Sequence, residues 1–160
     1  MILDTQIVKN TATGATVGFD AGKLVKGRKC LVINDTIGHV LASWVLPADA
    51  VDGAATSAFW DEVAAPYEML EAVQVVFVDS SFHGVFRQHL AQRYSIRVEK
   101  PAHVPVRKTN LCIHAWRWIV ERTFAWLDMN RRLSKEYAWT LRHANAWFAI
   151  VNICRILKFC

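Results

Sequence analysis

Residues 116–135 read WRWIVERTFAWLDMNRRLSK, an apolar and aromatic segment with Glu121 near its middle. Its apolar positions recur every three or four residues, which predicts a helix that packs one side into a core. Those positions are Trp116, Ile119, Val120, Thr123, Trp126 and Leu127. Arg117 lies four residues before Glu121, on a different strip of the same helix. Most pairs with this spacing are surface ion pairs that contribute little to stability.

The first part of the chain has the patterns of a β-sheet. Residues 1–9 alternate weakly between apolar and polar side chains, which predicts a strand. Residues 30–34 (CLVIN) and 40–46 (VLASWVL) are apolar runs joined by a short turn. They predict an antiparallel hairpin with Asp35 as a turn residue. Residues 10–22 are small and polar, which predicts a loop or a hairpin crossing.

Helices and strands alternate in the rest of the chain, so we predict an α/β fold. Residues 73–78 (VQVVFV) are β-branched without polar alternation, which predicts a strand buried on both faces. Asp52 is predicted to cap a helix that runs to about residue 65. The remaining predicted elements are helices over residues 82–94 and 138–159, an edge strand over residues 95–100, and a connector over residues 101–110.

Composition limits the class of protein and its partners. A chain of 160 residues, 53% hydrophobic and 21% charged, is typical of one globular domain, and we treat residues 1–160 as that domain. No segment approaches the roughly 18–20 consecutive apolar residues of a membrane helix, so we expect no membrane partner. The net charge of +5 favours a polyanionic partner, although basic proteins without one are common. The four scattered cysteines fit a reducing compartment, and we predict a cytoplasmic protein.

Three groups of cations are candidates for contacts with nucleic acid. The first surrounds Gly27, the second lies in the connector, and the third follows the helix of Glu121. They are Lys23, Lys26, Arg28 and Lys29; Arg107 and Lys108; and Arg131, Arg132 and Lys135. Cations beside a glycine suit phosphate contacts, but a solvated charged turn explains the first group equally well. Cations near the end of a helix also stabilise the helix, so the third group does not discriminate.

Three acidic residues fall where a site could form. Asp4 lies in the first predicted strand, Asp79 directly follows the buried strand, and Glu121 lies on the late helix. The carboxyl end of a central strand in an α/β sheet is a common place for ligand sites. Asp79 is equally suited to cap the helix that follows it.

The segment RWIVERTFAWLDMNRRLSKEY resembles the carboxy-terminal signature of bacterial insertion-sequence transposases of the DDE type. Upstream, GFDAGKLVKGRKCLVINDTIGHVLA and VVFVDSSFHG resemble further blocks of that family, in the same order. The resemblance covers nearly the whole chain. It implies an RNase H-like mixed sheet flanked by helices.

The resemblance also implies a chemistry. Asp4, Asp79 and Glu121 would be the catalytic carboxylates and the ligands of two Mg²⁺ or Mn²⁺ ions, and Arg117 and Arg122 would contact phosphate. The implied reaction is cleavage of DNA at transposon ends followed by strand transfer. The implied partners are DNA and further copies of the chain. Two alternatives remain open: an RNase H-like nuclease without strand transfer, and a non-catalytic remnant that only binds nucleic acid or partner subunits.

Two features depart from the family pattern, which is Tyr-(2)-Arg-(3)-Glu-(6)-Lys around the third acid. Arg117 and Glu121 fit, but His114 stands at the Tyr position and Asp128 at the Lys position, which inverts a charge. The chain also opens three residues before Asp4, without the amino-terminal region that recognises transposon ends. We therefore expect either a second reading frame that is joined to an upstream product or a decayed remnant, nucleoid-associated in a bacterial cytoplasm.

Overall fold

Six strands form one mixed sheet: β1 (Ile2–Lys9), β2 (Gly18–Asp20), β3 (Val25–Asn34), β4 (Val40–Pro47), β5 (Val75–Phe77) and β6 (Arg97–Glu99). Their order is β2-β3-β1-β5-β6, and β4 pairs with β3 next to β2, on the edge of β3 opposite β1. The computed structural model describes residues 1–11, 16–64, 66, 72–82, 84–100 and 115–158. Helices cover both faces of the sheet, and this is the α/β, RNase H-like architecture that the resemblance implied. Within those residues, no helix is both long and apolar enough to cross a membrane.

The antiparallel half of the sheet is built on β3. Strand β1 (Ile2–Lys9) pairs along one edge of β3 (Val25–Asn34), and β4 (Val40–Pro47) pairs along the other. The predicted hairpin is confirmed, and so is the turn role of Asp35, whose carboxylate accepts the backbone N–H groups of residues 37 and 39. The loop predicted for residues 10–22 contains a short strand, β2 (Gly18–Asp20), which pairs with the start of β3.

The parallel half of the sheet is short. Strand β5 (Val75–Phe77) lies between β1 and β6 (Arg97–Glu99), and both of its pairings are parallel. These strands are shorter than the runs predicted at residues 73–78 and 95–100. The edge position predicted for the last strand is confirmed.

One face of the sheet is covered by α1 (Asp52–Phe59), its π-helical continuation over Trp60–Ala64, and α2 (Val85–Tyr94). Phe59, Trp60, Phe82, Phe86 and Leu90 bury their side chains against Leu3, Leu31, Ile33 and Val76 of the sheet. The predicted cap at Asp52 is wrong. The N-cap position is Val51, and the Asp52 carboxylate pairs with Lys29.

The opposite face carries α3 (Ala115–Asp128), α4 (Arg131–Ser134) and α5 (Leu141–Leu157). Val120, Phe124, Leu127, Phe148 and Val151 pack here on Ile2, Cys30 and Val32. Arg131, Arg132 and Lys135 were predicted in the last turn of the helix of Glu121 or just beyond it. Helix α3 ends at Asp128, so these three residues lie beyond it. The Asn130 side chain donates to the carbonyls of residues 126 and 127 and so satisfies the end of α3.

Two of the cations that we expected to contact DNA are buried, and that expectation is wrong for both. Arg28 is fully buried, pairs with Glu136 at 3.2 Å, and donates to the carbonyls of residues 138 and 139 at 2.9 and 3.1 Å. Lys29 is 4% exposed and donates to the carbonyl of Ala50 and the carboxylate of Asp52. A buried cation needs partners, and here the partners lie outside β3. Arg28 therefore ties residues 136–139 to β3, and Lys29 ties residues 50–52 to it.

Candidate active site

An open cleft of about 340 Å³ lies where the start of β1, the end of β5 and the first turns of α3 meet. Asp4, Asp79, Arg117 and Glu121 all line it, together with Lys23 from the β2–β3 turn. Four of these five residues were the expected catalytic residues, and the fold brings them to one cleft from three separate elements.

The sheet brings the first two acids together. Ile2 of β1 lies beside Phe77 of β5, and each strand carries its Asp two residues further along. Alternation along β1 puts Asp4 on the same face as Ile2, which is the face that α3 covers. Because β5 runs parallel to β1, this pairing sets the start of β1 beside the end of β5 and carries Asp4 and Asp79 to neighbouring positions.

An aromatic contact holds the start of α3 over the end of β5, beside the two aspartates. The ring of Trp116 stacks on that of Phe77, with centroids 4.8 Å apart and ring planes 12° from parallel. Arg117 follows directly, and Glu121 lies one turn further along the helix. Trp116 was expected in the core, and it is partly buried against the core while it also forms a wall of the cleft. Its stacking on Phe77 could not be read from any local pattern.

Burial and charge act strongly on Asp4. Its pKa is raised to about 6, mainly because burial disfavours the ionised form, with a further contribution from repulsion by Asp79. The N–H of Thr5, which donates to the Asp4 carboxylate at 2.7 Å, and the charges of Lys23 and Arg117 oppose this rise. Asp4 and Asp79 therefore form a repelling pair that a cation would stabilise.

Arg117 and Glu121 form the expected ion pair on the surface of α3. The guanidinium Nε lies 2.7 Å from the Glu121 carboxylate, and the two side chains are 75% and 57% exposed. The Glu121 contact raises the pKa of Arg117, with smaller contributions from Asp79 and Asp4. The pair thus stands at the mouth of the cleft, and Arg117 also lies within the field of the other two acids.

Comparison with known protein families matches residues 1–157 to the family described as the transposase DDE domain. The chain belongs to this family of transposases. The same kind of comparison with curated proteins and with solved structures found no match.

The three carboxylates of this transposase domain are not gathered around one point. Within the described part of the chain, no group of three Asp, Glu, His or Cys side chains is close enough to hold a metal ion. The close three-acid cluster expected from the resemblance is therefore not formed, since Glu121 is turned to Arg117. Asp4 and Asp79 could offer a metal ion only carboxylate oxygens, which are the ligands that hard divalent cations prefer. Such a cation would also relieve the repulsion between the two carboxylates.

A second cleft of about 200 Å³ continues on the other side of the two aspartates. Asp20, Asp52 and Lys23 line it with them. Asp20 was not among the predicted site residues, and its one signal in the sequence is its place in the small polar stretch before Gly22. Its carboxylate accepts the backbone N–H of Lys23 at 2.8 Å and so shapes the turn that carries this lysine.

Two residues that were expected near the catalytic centre point elsewhere. Arg122 donates to the carbonyl of Ile37 at 2.6 Å, stacks on Trp118 and Trp126, and does not line the cleft. Its contact with phosphate stays a prediction. The Asp128 carboxylate accepts the Gln6 amide at 2.7 Å, over the middle of β1. Arg107, Lys108 and His114 lie outside the described residues.

The other expected DNA contacts lie at the surface. Lys26 is exposed on β3, and Arg131, Arg132 and Lys135 are exposed on and beside α4. A hydrogen bond from the N–H of residue 136 to the Lys9 carbonyl joins this segment to the far end of β1. These cations are therefore at the opposite end of β1 from Asp4.

Proposed function

We propose that this transposase domain cleaves DNA at transposon ends and joins the freed strand to a target by in-line displacement at phosphodiesters. The supporting observation is the convergence of Asp4, Asp79, Glu121 and Arg117 on one cleft. Oxygen ligands at a repelling acidic pair are the kind of site that metal-dependent phosphoryl transfer uses.

Asp4 and Asp79 would hold Mg²⁺ or Mn²⁺, with Glu121 as the third ligand. When bound, such ions activate the attacking oxygen and stabilise the leaving oxygen. Glu121 must first exchange its contact with Arg117. That exchange costs little, because an exposed ion pair is worth at most about 1 kcal/mol.

Arg117 would then be free to bind the phosphate. Its side chain lines the same cleft as Asp4 and Asp79, so a phosphodiester bound over the two aspartates would lie beside it. Planar guanidinium groups donate two parallel hydrogen bonds to phosphate oxygens. Arg117 thereby orients the phosphate and stabilises the charge that develops on it.

The exposed cations near α4 would contact the DNA on one side of the cleft. From Glu121, α3 runs to Asp128, and Arg131, Arg132 and Lys135 follow. At about 1.5 Å per residue, α3 alone extends about 10 Å from Glu121 to Asp128, the length of roughly three base pairs, before these cations follow. Lys26 adds a further cation on this face. Association with other copies and with an upstream product stays a prediction.

The test is a Mn²⁺ titration of the purified domain. We expect saturable binding by the wild type, weakened by Asp79→Asn and by Glu121→Gln. Glu62→Gln removes an exposed acid outside both clefts and should leave binding unchanged. Equal, negligible binding in all proteins would contradict the proposal and favour the non-catalytic remnant.

A joining assay separates the two enzymatic alternatives. DNA with a recessed 3′-hydroxyl at a transposon end is incubated with a target duplex and the protein in Mn²⁺. A transposase links the two molecules, whereas a nuclease without strand transfer only shortens them. Cleavage without joined product, abolished by Asp79→Asn, would establish the nuclease.

A further inference from the structure

The cleft has few cations for a site that handles phosphate. Helix α3 offers it only Arg117 among the described residues, because Arg122 is turned to the 35–39 turn. Asp128 is held by Gln6 and brings no positive charge. Arg117 is itself paired with Glu121. A second cation must therefore come from another element.

Lys23 meets this need from the turn between β2 and β3. It lines both clefts, and Asp4 and Asp79 line both of them too. Lys23 is therefore a neighbour of the two aspartates in each cleft. It lies close enough to Asp4 to act on its charge. No carboxylate of the described residues lies within 4 Å of its amine in an ion pair.

The local backbone holds Lys23 in this place. Its N–H donates to the Asp20 carboxylate at 2.8 Å, and the next residue, Leu24, has a left-handed backbone with φ of 53°. A Cβ at Gly22 would come within 3.3 Å of the same carboxylate, so the turn favours glycine there. Asp20 and the left-handed backbone of Leu24 thus hold the turn in one conformation, which presents Lys23 to the clefts. Strained backbone of this kind is common at functional sites.

We propose that Lys23 binds the phosphate under attack, opposite Arg117, so that the two cations clamp it over the acidic pair. The inference rests on the proposed function of the cleft. The lysine ammonium is a compact charge with three donors, which suits contact with a non-bridging phosphate oxygen. Arg117 and Lys23 come from different elements, and each then fixes one side of the phosphate.

The test compares Lys23→Ala, Lys23→Arg and Lys158→Ala for binding to a short DNA duplex with a 3′-hydroxyl end, at several salt concentrations. Lys158 is the matched control, because it is an exposed lysine at the end of α5 that lines neither cleft and is not among the expected DNA contacts. Lys23→Ala should weaken binding several-fold and lower the slope of log affinity against log salt by about one. Lys23→Arg should restore the slope, and Lys158→Ala should behave as the wild type.

A second measurement separates this inference from the proposed function. Lys23→Ala should keep or tighten Mn²⁺ binding, since it removes a positive charge beside the ligands. A wild type that binds no Mn²⁺, while Lys23→Ala still lowers the salt slope, would refute the enzymatic proposal and leave the phosphate contact standing. Identical slopes for Lys23→Ala and wild type would overturn the inference, whatever the metal result.

Discussion

Asp4 is a residue whose place in the site works against the stability of the fold. Its pKa is raised from 3.8 to about 6 in the folded protein. Its stabilising contribution is therefore complete below about pH 4 and lost as the pH rises through about 6. Above that pH the ionised carboxylate costs up to about 3 kcal/mol of unfolding free energy.

We therefore expect Asp4→Asn to stabilise the metal-free domain at pH 7.5 by up to about 3 kcal/mol and to have little effect near pH 4. The asparagine oxygen can still accept the N–H of Thr5. Urea denaturation at both pH values measures this difference. Glu62→Gln, at an exposed acid, serves as the control. An Asp4→Asn protein that is less stable at pH 7.5 would show that the charge is compensated in the fold.

The ion pair between Arg117 and Glu121, in contrast to Asp4, should contribute little to the stability of the fold. Both side chains are more than half exposed, so Arg117→Ala should change the unfolding free energy by less than about 0.5 kcal/mol. The same substitution should lower DNA cleavage by at least about tenfold, because the phosphate loses its guanidinium. Denaturation and a cleavage assay on one preparation measure both quantities. Unchanged cleavage would leave the pair as an ordinary surface contact.

At the scale of elements, the segment between α4 and α5 is held to β3 by one buried cation. Arg28 pairs with Glu136 and donates to the carbonyls of residues 138 and 139. Removing one partner of a buried pair leaves an uncompensated charge, which costs about 3–5 kcal/mol. We expect Arg28→Met to destabilise the domain by that amount in urea denaturation.

The exposed Lys26, two residues away on the same strand, is the matched control, and Lys26→Ala should change stability by less than about 0.5 kcal/mol. The double variant Arg28→Met with Glu136→Leu should regain part of the loss, because no charge is then left unpaired. Equal stability of Arg28→Met and wild type would show that the contact contributes nothing.

The same element shows how far the sequence predicts the fold. The apolar periods of residues 116–128 and 30–34 placed α3 and the core of the hairpin correctly. Strand β3, however, begins at Val25, so Lys26, Arg28 and Lys29 of the predicted charged turn lie within a strand, and only Lys23 stays in the turn before it. Arg28 is buried with Glu136, more than 100 residues away, and Lys29 with Asp52, and no local pattern carries that information.

At the scale of the molecule, the site depends on three elements that only the fold brings together. The pairing of β1 with β5 placed Asp4 and Asp79 side by side, as the resemblance implied. The spacing of Arg117 and Glu121 indicated their ion pair, but not that the three acids would stay too far apart to form one group among the described residues. The sequence thus predicted the residues of the cleft better than their arrangement.

Closure of the site around a cation should be visible in the stability of the whole domain. A ligand at one hundred times its dissociation constant stabilises the native state by about 2.7 kcal/mol, which for a domain of this size raises Tm by roughly 5–10 °C. We expect Mn²⁺ to produce such a rise at pH 7.5 and a smaller one at pH 5, where Asp4, with its pKa of about 6, is mostly protonated. Differential scanning fluorimetry measures both. Asp79→Asn should lose the rise and Glu62→Gln should keep it, so an equal rise in all variants at both pH values would place the bound ion outside the cleft.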